Sequence, residues 1–216
     1  MTWRAQRDCG FLEYHARWGV SSILYFRLFR RMFPDKPFYA PKAIRKLDAA
    51  LTRNSRVFEW GSGASTIWFA NRVSELVSIE HDLDWVTRGR NRLENSSAMS
   101  ARLVHVPTED DTDYDWATDW EHYHVLGRAP RRPGFRKYMS AIDDYPDSYF
   151  DCIAIDGRER MGCLVHAIPK LSDEGILVID DTARANYADA FRILSGWRKD
   201  IYNFGLLQTT LFFRQE

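Results

Sequence analysis

The run Val57–Thr66, VFEWGSGAST, constrains the fold more than any other part of the sequence. Apolar residues lead into Gly61-Ser62-Gly63 and a helical pattern follows from Ser65, which predicts a strand, a tight glycine turn and a helix. Such a turn lets backbone N–H groups approach a ligand closely. A dinucleotide fingerprint has a third glycine where Thr66 stands, which counts against an NAD-binding oxidoreductase. A strand–turn–helix without a ligand is the remaining alternative.

Strand and helix patterns alternate along the rest of the chain. Strands are predicted over 56–60, 76–80, 101–106, 150–156 and 176–180, and helices over 65–73, 85–94, 161–168 and 184–197. Two closing runs, 201–206 and 209–214, predict an antiparallel pair at the sheet edge. This order is typical of an α/β fold, a Rossmann-like three-layer sandwich with a mostly parallel sheet between two layers of helices. Ligands of such sheets bind at the carboxyl ends of the strands, where this sequence is polar or glycine-rich.

Two regions lie outside the alternating pattern. Residues 1–52 predict an N-terminal helical extension, whose second helix begins at Pro41 after a proline-rich stretch. Its helices are a candidate surface for pairing two subunits as a homodimer. Residues 53–216 then form the main domain, in which about 110–138 is too long for a plain loop. The aromatic residues there predict a lid or substrate-recognition insert, with simple packing onto the domain as the alternative.

The amino-acid composition excludes several kinds of protein. Thirty Lys and Arg balance 30 Asp and Glu, so no net charge recruits nucleic acid or a membrane surface. The three cysteines lack the spacing of a disulfide framework or a zinc site. No apolar run is long enough to span a bilayer and no signal peptide is evident, so a cytoplasmic location is expected.

Acidic residues end two strands that flank the glycine turn in the predicted sheet. Glu80 closes the second strand just before His81, and a carboxylate there can accept hydrogen bonds from both hydroxyls of a ribose. Asp156 ends the fourth strand and is placed to meet a substrate or a metal. Arg158 and Arg160 follow it, and would either bind an anionic substrate or pair with Asp156. Asp156 and Arg158 are therefore the candidate catalytic residues.

Two consecutive acids, Asp180 and Asp181, end the fifth strand. Acids at a strand end are costly unless they are solvated, paired or bound to a cation. Together with Asp156 they predict an oxygen-rich site for Mg²⁺. The alternative is that Asp181 or Thr182 caps the following helix.

Taken together, these residues resemble class I S-adenosylmethionine-dependent methyltransferases over about 56–214. Glu59-Trp60-Gly61-Ser62-Gly63 is similar to their first motif and Glu80 to their ribose-binding acid. The patterns around Asp156 and Asp180-Asp181 look like a bacterial subgroup of methyltransferase-like proteins. The resemblance implies a seven-stranded sheet with a reversed last strand.

The resemblance also implies a cofactor, S-adenosylmethionine, and a set of residues around it. Glu59 would bind the ammonium group of the cofactor directly or through water, and Glu109 or Asp110 would lie near the adenine. The implied cofactor-binding residues are Glu59, Trp60, Gly61, Ser62, Gly63, Ser65, Thr66, Glu80, His81, Asp110 and Asp156. The expected reaction is methyl transfer to an oxygen, less readily a nitrogen, of a small molecule or a sugar. A cofactor-binding or scaffolding module without catalysis is the alternative.

Asp156 with Asp180-Asp181 is similar to the metal triad of catechol- and macrolide-type O-methyltransferases. The chain departs from the catechol type because Asp181 stands where that group has asparagine. It also has Arg158 and Arg160 where that group has a lysine base, and arginine is a poor proton acceptor. The resemblance therefore leaves both the metal and the catalytic base open.

Overall fold

The computed structural model describes residues 28, 31–96, 101–110, 126, 133–205 and 207–214. Within them the strands are β1 (Arg56–Trp60), β2 (Glu75–Glu80), β3 (Ala101–His105), β4 (Phe150–Ile155), β5 (Leu171–Ile179), β6 (Arg198–Phe204) and β7 (Leu207–Phe213). The α-helices are α1 (Pro41–Ala50), α2 (Ala64–Ala70), α3 (Leu83–Glu94), α4 (Arg136–Met139), α5 (Arg160–Lys170) and α6 (Ala188–Ile193). Short 3-10 turns cover Pro133–Phe135, Ser140–Ile142 and Ala185–Tyr187.

The seven strands form one sheet in the order β3-β2-β1-β4-β5-β7-β6. The first five are parallel to one another, and β7 runs antiparallel to both of its neighbours. The strand order reverses between β1 and β4, where a doubly wound sheet opens a crevice at its carboxyl edge. The predicted α/β sandwich with a reversed last strand is confirmed. The closing pair is also antiparallel as predicted, although β7 inserts between β5 and β6 rather than lying outside them.

The central strands are apolar because helices cover both faces of the sheet. Side chains alternate between the faces, so Phe58 and Trp60 enter one core while Val57 enters the other. The first core lies under α4, α5 and α6, and the second under α1, α2 and α3. All the β4 side chains except Asp151 are fully buried. The sheet is therefore a rigid base from which the loops at its carboxyl edge project.

Local signals set where the helices begin. Pro41 occupies the first turn of α1, where its missing N–H is not needed. Asp82 caps α3, since its carboxylate accepts hydrogen bonds from the N–H groups of Asp84 and Trp85 at 2.9 and 3.2 Å. That cap fixes the chain directly after β2. It therefore also fixes the direction in which Glu80 and His81 leave the sheet.

The two predicted additions to the domain are described in part. In the N-terminal region, α1 buries Ala43, Ile44 and Leu47 against the sheet, whereas most of the helix predicted near 11–33 lies outside the described residues. Of the predicted lid, residues 111–125 and 127–132 lie outside them as well. The end of the predicted lid belongs to the hydrophobic core, because Phe135 and Tyr138 are buried in the first core. In the described part of the chain, no helix has the length and apolar character needed to cross a membrane.

Candidate functional site

A cavity of about 360 Å³ opens at the carboxyl edge of the sheet. Its wall is built by the loops that follow three neighbouring strands, β2, β1 and β4. These loops contribute Gly61–Ser65, Glu80–Asp82 and Asp156–Arg158. The cavity lies beside the reversal of strand order between β1 and β4, the place where ligands of doubly wound sheets bind. The structure thus brings together most of the residues that the sequence singled out.

The glycine turn after β1 needs glycine at its first position for two reasons. Gly61 has φ +92°, a conformation that L side chains rarely adopt. A Cβ there would also lie 2.7 Å from the backbone N and Cα of Gly157, in the loop after β4. Gly63 differs, since its backbone is extended and a Cβ would meet no atom within 4 Å. The first glycine therefore lets two loops touch, and the second leaves open space toward the cavity.

Glu59 is fully buried beneath this turn. Its Oε2 accepts hydrogen bonds from the hydroxyls of Thr66 and Ser78, both at 2.7 Å, and the Ser65 hydroxyl is a further neighbour of the carboxylate. Burial raises the pKa of Glu59, although its hydroxyl neighbours oppose the shift. Thr66 also accepts a hydrogen bond from the Gly63 N–H at 2.9 Å. The acid predicted to meet the ligand is thus a support of the turn, one layer behind the cavity wall.

Glu80 lines the cavity and is held by backbone donors. Its Oε1 accepts from the N–H groups of His81 and Asp82 at 2.8 and 3.0 Å, and its Oε2 from the Ser62 N–H at 2.9 Å. The Ser62 hydroxyl adds a longer bond of 3.3 Å to Oε2. The His81 ring lies beside the carboxylate, with Nδ1 2.7 Å from Oε1, and packs on Phe135. Glu80 is therefore held in position as a hydrogen-bond acceptor. Its long bond to the Ser62 hydroxyl is the one that a ligand hydroxyl could replace.

Asp156 lies in the cavity wall with a quarter of its side chain exposed. Its Oδ1 is 2.9 Å from Nη2 of Arg160, which also donates to the backbone oxygens of Asp156, Gly157 and Asp180. Burial raises the pKa of the Asp156 carboxyl to about 7, against the lowering effect of Arg160. Arg158 is exposed at the same wall, and no ion pair to it is seen within the described residues. Of the two arginines, Arg160 therefore pairs with Asp156, and Arg158 faces the cavity.

The predicted Mg²⁺ site at Asp156, Asp180 and Asp181 is not supported. Within the described ranges, no three His, Cys, Asp or Glu residues are grouped as metal ligands. Asp180 is buried and its Oδ1 accepts from the Thr209 hydroxyl at 2.7 Å. Asp181 has φ +59°, which turns its carboxylate to Arg184 at 2.5 Å. The three carboxylates are thus bound by a hydroxyl and by arginines, and Arg160 lies within 3.8 Å of Asp181 as well as 2.9 Å from Asp156.

Three further predicted cofactor residues lie outside the cavity wall. The Trp60 side chain is buried in the first core, where its indole N–H donates to the Tyr138 backbone oxygen at 2.8 Å. Thr66 supports the turn from behind, as described above. Asp110 is exposed and does not line the cavity, and its predicted role near an adenine stays a prediction. Side chains alternate along a strand, so Trp60 points to the sheet face opposite to that of its neighbour Glu59 and enters the first core.

The cavity wall also includes residues from the segment before α1 and from α3. Pro34 and Phe38, from the segment before α1, line it, as do Trp85 and Arg92 from α3. Arg92 fastens that segment, because its Nη2 lies 2.5 Å from Asp35 Oδ1 and donates to the Pro34 backbone oxygen at 3.0 Å. No motif marks these residues. Their three-proline context predicts only a break between helices, and a contact of this kind depends on tertiary structure.

Replacing Thr209 with valine is expected to lower the free energy of unfolding by about 2–4 kcal/mol, because two buried polar groups lose their partner. The Thr209 hydroxyl accepts from the Ala40 N–H at 3.0 Å and donates to Asp180 at 2.7 Å. Denaturant unfolding measures the effect, with Thr209→Ser as the control that keeps the hydroxyl. Equal stability of the two variants would contradict this bonding.

The sequence matches no protein-family model and no curated protein. Solved structures do share its fold. A methyltransferase-like protein from Silicibacter pomeroyi is 20% identical, with a TM-score of 0.55 over 83% of this chain and 89% of that one. An rRNA methylase from Streptococcus thermophilus is 11% identical, with a TM-score of 0.56 over 83% and 100%. A candidate methyltransferase from Streptococcus mutans, in complex with S-adenosylhomocysteine, is 9% identical, with a TM-score of 0.55 over 82% and 98%.

At these identities the likeness concerns the fold. The chain has the class I methyltransferase fold, as the resemblance of its motifs implied. Function is a property of the site rather than of the fold.

Proposed function

We propose that this protein is an S-adenosylmethionine-dependent methyltransferase that methylates a hydroxyl of a small molecule or a sugar. One observation carries the proposal. The glycine turn, Glu80 and Asp156 come from three different strands and line one cavity of about 360 Å³. A cofactor with a nucleoside at one end and an amino acid at the other matches this distribution of groups. The bound cofactor supplies an electrophilic methyl group on a positively charged sulfur.

The residues of the cavity fit that cofactor in chemistry. Glu80 would accept hydrogen bonds from ribose hydroxyls in exchange for its 3.3 Å bond to the Ser62 hydroxyl. The open side of Gly63 admits a ligand close to the backbone, since a Cβ there would project into empty space. Glu80 and Asp156 place two carboxyl groups in the cavity wall, and their ionised forms suit a cationic ligand.

Asp156 is proposed as the residue that accepts the proton of the acceptor hydroxyl. A base is most effective when its pKa is close to the working pH, and burial raises the pKa of Asp156 to about 7. Arg160 holds the carboxylate at 2.9 Å and so fixes its direction. The rest of the catalysis would come from holding the acceptor oxygen in line with the methyl group.

A small acceptor is proposed in preference to nucleic acid on the balance of charge. The chain has equal numbers of basic and acidic residues, whereas nucleic-acid binding depends on an excess of basic groups along one surface. Arg158 is an exposed cation in the cavity wall, and it would bind an anionic group of the substrate.

Titration calorimetry with S-adenosylhomocysteine tests the cofactor, and Glu80→Gln tests the site. The variant is expected to bind about 10-fold to 100-fold more weakly, because hydrogen bonds to a charged acceptor contribute about 1.5–3 kcal/mol. Glu75→Gln is the matched control, since Glu75 lies at the opposite end of the same strand and bonds to Tyr149. Binding of NAD instead would favour the oxidoreductase alternative, and binding of neither ligand would refute the proposal.

A further inference from the structure

The segment 34–40, which precedes α1, forms part of the cavity wall through Pro34 and Phe38. Its first end is attached to Arg92 of α3, which lines the cavity as well. Nη2 of Arg92 lies 2.5 Å from Asp35 Oδ1 and donates to the Pro34 backbone oxygen at 3.0 Å. One nitrogen atom therefore holds both a side chain and the backbone of this segment against the helix.

The second end of the segment is attached in a different way. The Ala40 N–H donates to the Thr209 hydroxyl of β7 at 3.0 Å, and Ala40 and Thr209 are only 1% and 0% exposed. The side chains of Arg92 and Asp35 are 39% and 59% exposed. An ion pair in contact with water is weak, whereas a buried hydrogen bond leaves unpaired polar groups when it breaks. The attachment to Arg92 is therefore the one that opens more readily.

Exposure falls along the segment from its first end to its second. Residues 34–36 are exposed, Pro37 is buried, and Tyr39 and Ala40 are buried in the second core. Local opening begins where a segment has few buried contacts. Proline restricts the backbone at positions 34 and 37. Residues 34–36 thus form a short arm with limited backbone freedom, and Pro37 marks the point at which it enters the core.

The arm lies against the side of the cavity that α3 forms. Trp85 and Arg92 both line the cavity and are separated by about two helical turns, so they lie on one face of α3. Pro34 completes the wall next to Arg92. Breaking the contacts of Arg92 with the arm withdraws Pro34 from the wall and widens the cavity on this side.

We propose that residues 34–36 are a gate to the cavity, and that Arg92 is the positioning residue that holds the gate shut through Asp35 and Pro34. The inference rests on the proposed function and adds a route by which the cofactor enters and S-adenosylhomocysteine leaves. Weakening the attachment favours the open state of the gate. A gate in the path of a ligand changes the rates of entry and exit together, so the affinity changes little.

Asp35→Asn tests the gate, because it keeps the shape of the side chain and removes its charge. Stopped-flow tryptophan fluorescence follows S-adenosylhomocysteine, since Trp85 lines the cavity. The association and dissociation rate constants are both expected to rise about 2-fold to 5-fold, the range for loss of an exposed ion pair. The dissociation constant from calorimetry is expected to stay within about 2-fold of that of the unchanged protein.

Asp48→Asn is the matched control. Arg72 and Asp48 lie 2.7 Å apart with side chains 34% and 55% exposed, much like Arg92 and Asp35, but neither lines the cavity. This variant is expected to leave both rate constants unchanged. Unchanged rates in Asp35→Asn, or equal acceleration by Asp48→Asn, would overturn the gate. Faster dissociation alone, with a matching loss of affinity, would place Asp35 in contact with the ligand and would overturn it as well.

Hydrogen exchange without ligand separates this inference from the proposed function. The Lys36 N–H donates to the Phe33 backbone oxygen at 3.1 Å within the arm, and the Ala40 N–H donates to Thr209 beyond it. Asp35→Asn is expected to speed exchange at Lys36 and to leave Ala40 unchanged. Equal exchange at Lys36 in the two proteins would overturn the attachment. Failure of the unchanged protein to bind S-adenosylhomocysteine would instead refute the proposed function.

Arg92→Gln combined with Asp35→Asn shows whether Arg92 acts through the arm. If it does, the rate constants of the double variant are expected to match those of Arg92→Gln alone, because the second substitution has no attachment left to weaken. Additive effects would mean that Arg92 acts on the ligand by itself, and would overturn its role as the positioning residue of the gate.

Discussion

Replacing Gly61 with alanine is expected to abolish cofactor binding and to lower the free energy of unfolding by about 2–5 kcal/mol. A side chain at φ +92° is strained, at about 1–3 kcal/mol, and overpacking against Gly157 adds a similar amount. The backbone there has little freedom to move, because the Gly61 N–H donates to the Ile79 oxygen at 2.9 Å and the Asp156 N–H to the Trp60 oxygen at 3.0 Å. Any relief of the clash would therefore separate the loops that form the cavity.

Gly63→Ala is the matched control for this prediction. Its backbone is extended, and a Cβ would meet no atom within 4 Å, so the free energy of unfolding should change by less than about 1 kcal/mol. The added methyl group enters the cavity, however, and should weaken S-adenosylhomocysteine binding at least about 10-fold. Denaturant unfolding and calorimetry on both variants separate the two effects. A Gly61→Ala protein with normal stability would show that the loops are not in contact.

Replacing Asp156 with asparagine is expected to lower the rate of methyl transfer by about 10²-fold to 10⁴-fold, the usual range for loss of a general base. In the unchanged protein the rate should rise with pH through about 7, as the carboxyl loses its proton. Asparagine cannot accept a proton, so the variant should lack this rise. Release of S-adenosylhomocysteine with hydroxyl acceptors, followed from pH 5 to 9, measures both. An unchanged rate and pH profile would exclude Asp156 as the base.

Asp156→Asn is also expected to change the free energy of unfolding, which can be measured without a methyl acceptor. Between about pH 4 and 7, Asp156 is ionised in the unfolded chain but protonated in the folded protein. The folded state therefore holds more protons in this window, and the contribution of Asp156 to stability falls as the pH rises through it. The variant remains neutral and should be more stable than the unchanged protein at pH 8. Asp144→Asn, at an exposed carboxylate away from the cavity, should show no such gain.

The periodic parts of the sequence predicted the fold correctly because strands buried on both faces must be apolar throughout. The run Phe150–Ile155 and the corresponding runs in β1, β2 and β5 are short and mainly apolar, which is typical of strands in the centre of a covered parallel sheet. Alternation with helices then requires parallel strands, and parallel strands bring their carboxyl ends to one edge. These patterns bring the strand ends that carry Gly61, Glu80 and Asp156 to one edge, while the contacts between those residues depend on how the core packs.

The predicted metal site is not supported by the described residues, for a reason that sequence spacing does not reveal. Asp180 and Asp181 are adjacent in sequence, but both follow the end of β5 and Asp181 has φ +59°, so their carboxylates turn to different partners. Asp180 accepts from Thr209 on β7, whereas Asp181 pairs with Arg184, three residues further along the chain, and its Oδ2 lies 3.8 Å from Arg160 Nη2. Arg160, read as either a substrate-binding or a structural arginine, pairs with Asp156 at 2.9 Å.

At the glycine turn, the sequence determined the local backbone conformation and the tertiary structure determined the contacts with remote residues. The order Glu59, Gly61, Gly63 by itself determined a strand, a sharp turn and a helix, because only glycine tolerates the backbone that the turn requires. Only the folded chain decided that Gly61 touches Gly157, that Glu59 lies behind the wall, and that Phe38 reaches the cavity from the segment before α1. Local patterns fix backbone conformation through steric limits on neighbouring atoms. Contacts between residues 20 to 100 positions apart depend on how the whole core packs, which no local pattern encodes.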